Sequence, residues 1–335
     1  MILNLPFARN FPVVYFTFMG RTAQQMAICS EQKKRIIQTV WLPDYCCDTM
    51  IYPFLDCGLH SIKFYPIKWN SEKQQISVDF QFFTPAKGDI VLWCDFFVFQ
   101  SELYEEVCSR LNQATLIHDI THSLLDDNLS TEHDDYVICS IRKWFSLIEG
   151  GVMWSKDDLI EDFKPSTGRY FHLKKQARNS KDKFYQTGAE CDLRYYHDYS
   201  AQADKYARVE YANRLMSQET VDILKSINFS DIKIKRHDTS VYIQRLLRLN
   251  RQINPYLFSI PLFLSEYNRN QVLDFLQQRK VRCAAFWEAT DYHKVVNSLM
   301  LKNICIDPSV HNLKVLSDIS QKIELQKVIG GGINV

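Results

Sequence analysis

The sequence predicts an α/β protein with a large domain, built on a mostly parallel mixed sheet flanked by helices, and a small C-terminal α+β domain. Short apolar runs alternate with amphipathic stretches in the first half of the chain, which is typical of parallel strands joined by helices. Residues 161–210 are rich in Lys, Arg, Asp, Tyr and Gln, which favours helical or loop connections. Strand-like and helix-like segments return after Pro255.

The elements of the first half follow one another in a regular order. A helix is expected to begin at Thr22, just after Gly20, and a strand over Ile36–Leu42 to end at Pro43. The other predicted strands are Ser61–Tyr65, Asp89–Trp93, Ala114–His118, Tyr136–Cys139 and Gly151–Trp154, and the other predicted helices are Asp48–Cys57 and Ser101–Arg110.

The second half is expected to begin with helices and to end in a compact unit. The apolar spacing over Ser217–Arg248 suits one long helix or two. The segments after Pro255 then indicate an α+β unit of about a hundred residues. We therefore place the large domain at residues 1–210 and the small domain at residues 211–335.

The composition of the chain argues against nucleic-acid-binding, metal-binding and membrane-spanning proteins. The 335 residues include 40 basic and 39 acidic side chains, so no charge pattern points to nucleic acid or an anionic membrane as a partner. Ten cysteines are scattered without a CxxC pair or zinc-like His/Cys spacing, so we expect reduced thiols and no metal site. No signal-peptide pattern and no apolar window near the ~18 residues of a spanning helix occurs, so we expect a cytoplasmic protein.

Polar residues at the ends of predicted strands suggest a site. The residues Gly20-Arg21-Thr22-Ala23 lie between an apolar segment and a helix, where free N–H groups, a hydroxyl and an arginine suit a phosphate. Asp119 follows a buried strand, and His122 comes three residues later. Ligands bind at the carboxyl ends of parallel strands in open α/β sheets, so Asp119 is a candidate ligand-binding carboxylate.

Lys143 follows the next predicted strand, in the segment Cys139-Ser140-Ile141-Arg142-Lys143-Trp144. Its apolar and aromatic neighbours predict burial, which would favour the neutral amine that a Schiff-base lysine requires. Each feature taken singly also has a structural explanation, such as a helix cap or an exposed loop lysine. Together, an anion-binding helix start, a carboxylate and a lysine are the three anchors of pyridoxal 5'-phosphate (PLP).

These motifs make the chain resemble the DegT/DnrJ/StrS family of sugar aminotransferases, which are fold-type-I PLP-dependent enzymes. The segment from Ile117 to His122 is similar to the family motif x-E-D-A-A-(Q/H), and Glu149-Gly150-Gly151 follows Lys143 at the family's spacing. By this resemblance Lys143 and Asp119 are the catalytic residues: Lys143 carries PLP and Asp119 pairs with its pyridine nitrogen. The remaining cofactor-binding residues that it implies are His122 at the ring oxygen, and Ser140, Gly20, Arg21, Thr22 and Ala23 at the phosphate.

Two further segments extend the resemblance. Trp41–Cys47 is similar to the family's segment after the second strand, with Cys47 where an aromatic residue stacks on the cofactor ring, so Tyr45 or Phe97 is the alternative. Asn213-Arg214-Leu215-Met216-Ser217 is similar to N-Y-R-M-S, a loop that reaches into the partner's active site, so Asn213 is a cofactor-binding candidate. The loop ahead of Lys143 is two residues shorter than the family's, and Arg142 has no role by the resemblance.

The resemblance implies transfer of an amino group from an amino-acid donor, L-glutamate, to a nucleotide-linked keto sugar for surface polysaccharide or glycoside biosynthesis. It also implies a homodimer with shared active sites. Two alternatives stay open. One is a PLP-dependent enzyme that acts on an amino acid or a small keto acid, and the other is a non-catalytic binding or regulatory protein that keeps the fold.

Overall fold

The computed structural model describes residues 6–70, 75–145, 147–159, 163–247, 256, 258–264, 266–287 and 303–321. Its strands are β1 (Val13–Thr17), β2 (Val40–Pro43), β3 (Ile62–Tyr65), β4 (Ile67–Asn70), β5 (Gln75–Val78), β6 (Ile90–Cys94), β7 (Thr115–Asp119), β8 (Tyr136–Cys139), β9 (Gly151–Ser155), β10 (Ile260–Phe263), β11 (Cys283–Ala284) and β12 (Asn303–Ile306). Seven of these described strands form a mixed sheet in the order β1-β9-β8-β7-β6-β2-β3. Three more form the sheet β10-β12-β11, and β4 pairs with β5.

The helices of the described residues connect these strands. They are α1 (Gly20–Lys34), α2 (Asp48–Asp56), α3 (Ser101–Cys108), α4 (Arg169–Thr187), α5 (Glu190–Glu210), α6 (Gln218–Ser226), α7 (Phe229–Leu246), α8 (Glu266–Gln278) and α9 (Val310–Gln321). None of the described helices is both long enough and apolar enough to cross a membrane.

By internal contacts the chain divides into two compact units, each built from two segments. The first unit is Met1–Arg35 with Tyr136–Ile227, and the second is Ile36–Asp135 with Asn228–Val335. This division by contact does not test the domain boundary that we place at residue 210, which stays a prediction.

The first unit is built on antiparallel strands. Strand β9 pairs with β1 and with β8, and every residue of β8 and β9 is buried, as their continuous apolar sequences indicate. Helix α1 packs against these strands, and α4 packs along α5. Gly188 ends α4 in the left-handed conformation that favours glycine (φ 76°). A small core joins Phe18 and Met19 to α4 and α5 through Tyr170, Ala203, Ala207 and Tyr211.

The second unit contains the parallel strands. Strand β2 pairs with β3 and β6, and β6 pairs with β7. All five residues of β6 are buried, as expected for an inner strand of a parallel sheet. The C-terminal segment adds the sheet β10-β12-β11 with α7, α8 and α9 around an apolar core, which confirms the predicted α+β unit.

Most strands lie where the sequence predicts them. The predicted strands at 61–65, 89–93, 114–118, 136–139 and 151–154 are each confirmed to within one residue. The prediction of a strand over 36–42 is wrong at its start, because Ile36 is 88% exposed and pairing begins at Val40. The helical stretch after Ser217 is two helices, and Asn228 begins the second by accepting a hydrogen bond from the Asp231 N–H.

Candidate active site

Helix α1 in the first unit begins with an N-terminus that suits an anion. The residue before it, Met19, is extended (φ −149°, ψ 166°) and its side chain makes no cap. The first helical hydrogen bond that closes the turn runs from the Ala23 N–H to the Met19 carbonyl (3.1 Å). The N–H groups that precede it in the helix have no acceptor within the helix, and they carry the positive end of the helix dipole.

Ser140 lies directly against the start of α1. A Cβ atom added to Gly20 would come within 2.9 Å of Ser140 Cβ and 3.3 Å of Ser140 N, which is closer than a real Cβ tolerates. Glycine at position 20 therefore lets the end of β8 approach the helix N-terminus. The resemblance assigns this glycine and Ser140 to one phosphate site, which stays a prediction.

The other residues of the predicted phosphate loop have different surroundings. The Thr22 hydroxyl is fully buried and donates to the Tyr211 carbonyl (3.0 Å), so its proton is not directed at a ligand. Ala23 is fully buried, and its N–H belongs to the helix. Arg21 lies over the Tyr211 ring with its guanidinium carbon 5.0 Å from the ring centroid, and burial lowers the pKa of Arg21.

The segment that contains Asn213 runs beside β1 of its own chain. The Met216 N–H donates to the Phe16 carbonyl (3.0 Å), and Leu215 forms a bridge with Thr17. The N–H of Asn213, whose φ is 51°, donates to Gln25 Oε1 on α1 (3.2 Å). The first unit therefore holds Asn213 against the first turns of α1.

Lys143 ends a short 3-10 turn, Ile141–Lys143, that follows Ser140. The Lys143 N–H donates to the Ser140 carbonyl (3.2 Å), which fixes the lysine one turn away from the helix start. The side chain of Lys143 is exposed, so the expectation of a buried lysine is wrong for this chain. Ile141 and Trp144 are buried instead, because residues three apart share one face of a 3-10 turn.

Glu149-Gly150-Gly151, which follows Lys143 at the family's spacing, is a structural junction. The Glu149 carboxylate is fully buried, and it accepts hydrogen bonds from the Ser217 N–H (2.7 Å), the Thr220 hydroxyl (3.3 Å) and the Ser166 hydroxyl (3.0 Å). Gly151 packs so tightly that an added Cβ would lie 2.3 Å from the carbonyl carbon of Met19.

Asp119 in the second unit is the last residue of β7 and is half-buried. The Thr121 N–H donates to Asp119 Oδ1 (2.9 Å), and the Asp95 N–H donates to the Asp119 carbonyl (3.2 Å). Backbone contacts thus fix both the carboxylate and the main chain at the carboxyl end of the strand, where the sequence predicts a ligand-binding group.

A buried charged network lies beside Asp119, and the sequence did not predict it. His118 is fully buried, with Nδ1 2.7 Å from Asp134 Oδ2 and Nε2 3.0 Å from Asp95 Oδ1. Burial acts to lower the pKa of His118, but Asp134 and Asp95 outweigh it and raise that pKa to about 10. A histidine inside the otherwise apolar segment Ala114–His118 was the signal for such a network, because a buried imidazole requires partners.

His122 lies among aromatic rings of the second unit. Its ring is nearly parallel to those of Phe258 and Trp287, with centroids 5.0 and 5.7 Å apart. The Phe97 N–H donates to His122 Nδ1 (3.3 Å), so the proton of a neutral imidazole is on Nε2. Phe97, an alternative stacking residue, packs on His122 itself with centroids 5.8 Å apart.

Tyr45 and Cys47 lie on either side of the fully buried Cys46. The Tyr45 hydroxyl donates to the Phe286 carbonyl (2.8 Å), and its fully buried ring stacks on Phe96 with centroids 5.5 Å apart. Cys47 is half-buried at the start of α2, with Sγ 2.9 Å from Thr49 Oγ1. Tyr45 thus packs within the second unit's own aromatic cluster.

Comparison with solved structures identifies the fold. Helicobacter pylori PseC, an aminotransferase involved in the biosynthesis of pseudoaminic acid, matches with a TM-score of 0.62 and 10% identity over 97% of this chain and 89% of PseC. A DegT DnrJ EryC1 StrS aminotransferase from Brucella abortus matches with a TM-score of 0.57 and 12% identity over 93% of this chain and 86% of its own. The sugar aminotransferase CalS13 from Micromonospora echinospora matches with a TM-score of 0.58 and 11% identity over 93% of this chain and 88% of CalS13.

Comparison of the sequence itself gives no further relative. No family model matches the chain, and no curated protein matches it either. Similarity at 10–12% identity shows a shared fold and nothing finer. The chain therefore has the fold of PLP-dependent sugar aminotransferases, which confirms the fold that its motifs predict.

Proposed function

We propose that this chain is a PLP-dependent aminotransferase that moves an amino group from an amino-acid donor to a keto sugar. One observation carries the proposal: the N-terminus of α1 lacks a side-chain cap, Ser140 lies against it, and Lys143 follows one turn later. We interpret this arrangement as an anion-binding group with an amine one turn away, both in the first unit. The shared fold with sugar aminotransferases supports the same function.

The residues around Gly20 fit the phosphate of PLP. The close approach of Gly20 to Ser140 leaves no room for a side chain and presents helix N–H groups beside a serine. Arg21 adds a cation in the first turn of the helix. We therefore assign the phosphate to the N–H groups at the start of α1, with Ser140 and Arg21. Asn213, held against α1 through Gln25, stays a cofactor-binding candidate by the resemblance.

Lys143 would hold the cofactor covalently through Nζ. Bound PLP supplies an electron sink that makes the hydrogen on the donor's α-carbon acidic. When it is not bound to the cofactor, the Lys143 amine would accept this proton and later give it back. The main chain of Lys143 is fixed by its bond to Ser140, and its side chain is exposed, so the amine is accessible to the cofactor and to the amino donor.

Asp119 and His122 are assigned to the cofactor ring by the family resemblance. The carboxylate of Asp119 would keep the pyridine nitrogen protonated, and the bond from the Thr121 N–H holds that carboxylate at the end of β7. His122 would donate from Nε2 to the ring oxygen, because Nδ1 already accepts from Phe97. Tyr45 and Cys47 stay assigned to the cofactor ring by the resemblance alone.

The two substrates, an amino donor and a keto acceptor, are inferred from the family resemblance. By the family resemblance the donor is L-glutamate, and the acceptor is a nucleotide-linked keto sugar for surface polysaccharide or glycoside biosynthesis. PseC, whose fold this chain shares, is involved in the biosynthesis of pseudoaminic acid, which supports a sugar acceptor.

An absorption spectrum of the purified protein tests the proposed function. Protein reconstituted with PLP is expected to be yellow and to lose that absorbance when L-glutamate is added, because the amino group then passes to the cofactor. A protein that stays colourless after reconstitution would contradict the proposal and favour a non-catalytic protein that keeps the fold. A yellow protein that responds to another amino acid and not to glutamate would keep the reaction class and change the donor.

We also propose that the chain forms a homodimer with shared active sites. The similarity of Asn213–Ser217 to the family's inter-subunit loop supports this, as do exposed apolar side chains at Val209 (77% exposed) and Ile223 (43% exposed) of the same unit. Light scattering over a concentration series should show a dimer, and Val209→Glu should weaken it. A fully active monomer at every concentration would contradict the proposal.

A further inference from the structure

Arginines cluster near the start of α1 in the first unit. Arg21 is in the first turn of α1, and Arg142 is the residue between Ile141 and Lys143. Burial is the main cause that lowers the pKa values of Arg21 and Arg178, and the positive charge of Arg142 contributes to both. Gly20, which precedes Arg21, lies directly against Ser140, two residues before Arg142, so the two arginines extend from the same part of the first unit. Such a concentration of like charge is costly without an anion.

Arg21 and Arg142 have unsatisfied donors within the part of the chain that the structure describes. The Nε atom of each is shielded from solvent and makes no hydrogen bond to the described residues. No described carboxylate forms an ion pair with either guanidinium; Asp204, which interacts with Arg21 at longer range, pairs with Lys174 at 2.8 Å. The main chain of Arg142 is fixed, because its N–H donates to the Gly150 carbonyl (3.2 Å).

Tyr170 on α4 provides an independent observation. Its side chain is only 1% exposed, and its hydroxyl has no hydrogen-bond partner among the described residues. The ring packs edge-on against Phe18 with centroids 5.0 Å apart, two residues before α1 begins. Tyr170 shares a core with Tyr211, over whose ring the Arg21 guanidinium lies. Phe18 also accepts a hydrogen bond from the Gly150 N–H (2.8 Å), and the Gly150 carbonyl accepts one from the Arg142 N–H (3.2 Å), so Tyr170 and Arg142 are held at the same segment. A buried hydroxyl that no described residue pairs with is costly, so it favours a ligand with an acceptor oxygen at this place.

We propose that Arg142 and the Tyr170 hydroxyl, together with Arg21 and the N-terminus of α1, bind a phosphate group. Arg142 and Tyr170 are not assigned a role by the sequence motifs. A phosphate dianion supplies enough acceptor oxygens for two guanidinium groups, a hydroxyl and helix N–H groups. It also neutralises the like charges that Arg21 and Arg142 bring together.

Two molecules supply a phosphate group of this kind: the cofactor, through its phosphate ester, and the acceptor. Only the choice between these sources rests on the proposed function. The binding site itself follows from the buried donors of the first unit, so it can be tested with inorganic phosphate alone.

The experiment is calorimetric titration of cofactor-free protein with inorganic phosphate in a buffer that contains no other multivalent anion. Arg142→Gln is expected to weaken phosphate binding by about tenfold or more, because it removes charge-assisted hydrogen bonds. Tyr170→Phe keeps the buried ring and is expected to weaken binding by about three- to tenfold, the effect of one hydrogen bond. Arg194→Gln and Tyr195→Phe, at exposed positions on α5, are matched controls that should bind as the wild type does.

Folding is checked separately by thermal unfolding, and Arg142→Lys provides a second variant that keeps the charge but loses the planar donors. Binding by folded Arg142→Gln and Tyr170→Phe proteins with wild-type affinity would overturn the proposal. So would the absence of phosphate binding to the folded wild type. Failure to retain PLP would count against the proposed function and leave this test intact.

A second titration distinguishes the two sources of the phosphate group. It uses protein to which PLP has been linked covalently by borohydride reduction. If phosphate then no longer binds, the cluster takes the cofactor's phosphate. If phosphate still binds and the binding still depends on Arg142 and Tyr170, the cluster takes a phosphate of the acceptor. Both results support a phosphate site at these residues and differ only in its occupant.

Discussion

At the residue scale, the short turn that contains Lys143 determines which of its side chains are buried and which are exposed. Ile141 and Trp144 both face the interior, because a 3-10 turn places residues three apart on one side. Lys143 is left on the exposed side, although its apolar sequence neighbours predicted burial. The prediction failed because consecutive side chains of a 3-10 turn point in different directions, so buried neighbours in sequence do not bury the residue between them. Its exposure is compatible with an amine that two ligands must reach.

Lys143→Ala should abolish the absorbance near the visible edge that a lysine-bound cofactor gives. The physical reason is that no other amine is held beside Ser140 by the turn. Spectra of reconstituted wild type and variant measure this directly. Lys156→Ala, at an exposed position just after β9, is the control and should keep the full spectrum. A Lys143→Ala protein with normal spectrum and activity would remove Lys143 from the site.

Gly20→Ala should disrupt the start of α1. The new methyl group would lie 2.9 Å from Ser140 Cβ, so either β8 or the helix has to shift. We expect a loss of stability of about 1–3 kcal/mol, typical of overpacking, and weaker phosphate binding. Urea unfolding and phosphate titration measure the two effects. Ser140→Gly in the same chain removes the nearest clashing atom and should recover part of the stability; no recovery would place the strain elsewhere.

At the scale of elements, Glu149 joins segments that are distant in sequence. Its buried carboxylate accepts from Ser217 and Thr220 at the N-terminus of α6 and from Ser166 ahead of α4. The same segment passes under the start of α1, because the Gly150 N–H donates to the Phe18 carbonyl (2.8 Å). The Glu-Gly-Gly motif therefore has a structural reason beside its similarity to the family: it fixes the elements that surround Lys143.

Glu149→Ala should lower the free energy of unfolding by about 2–5 kcal/mol, because three donors lose a buried charged acceptor. Glu149→Gln keeps one acceptor oxygen and should cost less, about 1–2 kcal/mol. Denaturant unfolding of both variants makes the comparison. Glu219→Ala, at an exposed position in the first turn of α6, is the control. Equal losses for the alanine and glutamine variants would contradict the assigned hydrogen bonds.

The sequence predicted inner strands better than peripheral ones. Strands such as β6 and β8 are short apolar runs because they are buried on both faces, so composition alone locates them. Strand β1, the first of the seven in sheet order, was read only as an apolar segment. The antiparallel pair of β4 and β5 was not predicted, because Ile67–Asn70 alternates polar and apolar residues over only four positions.

At the scale of the whole molecule, the site residues predicted from motifs belong to two contact units. Ser140, Lys143 and Asn213 belong to the first unit, whereas Asp119 and His122 belong to the second. The strand-end positions of Asp119, Ser140 and Lys143 could be read from the sequence, because each follows an apolar run. The carboxylates that surround His118 and the rings that surround Tyr170 could not, because they are distant in sequence and supply no local pattern.

The His118 network links the stability of the whole chain to pH. Both imidazole nitrogens lie close to a carboxylate, which favours the doubly protonated, positively charged ring. Asp95 also accepts from the Trp93 indole (3.0 Å) and from Ser123, and Asp134 accepts from the Tyr104 hydroxyl (2.9 Å). These bonds keep the carboxylates in place around the ring, so the folded state holds a proton that the unfolded chain releases near pH 6.5.

We expect the free energy of unfolding to fall as the pH rises from about 7 to 10. The pKa of His118 is raised to about 10 in the folded state, so its contribution is fully present below about pH 6.5 and is lost as the pH approaches 10. The slope should approach about 1.4 kcal/mol per pH unit for one proton. Urea unfolding at several pH values measures it. His118→Gln should remove this slope above pH 7, whereas His133→Gln, which changes an exposed histidine near Glu105, should keep it. A wild-type profile that is flat between pH 7 and 10 would show that His118 is neutral in the folded protein.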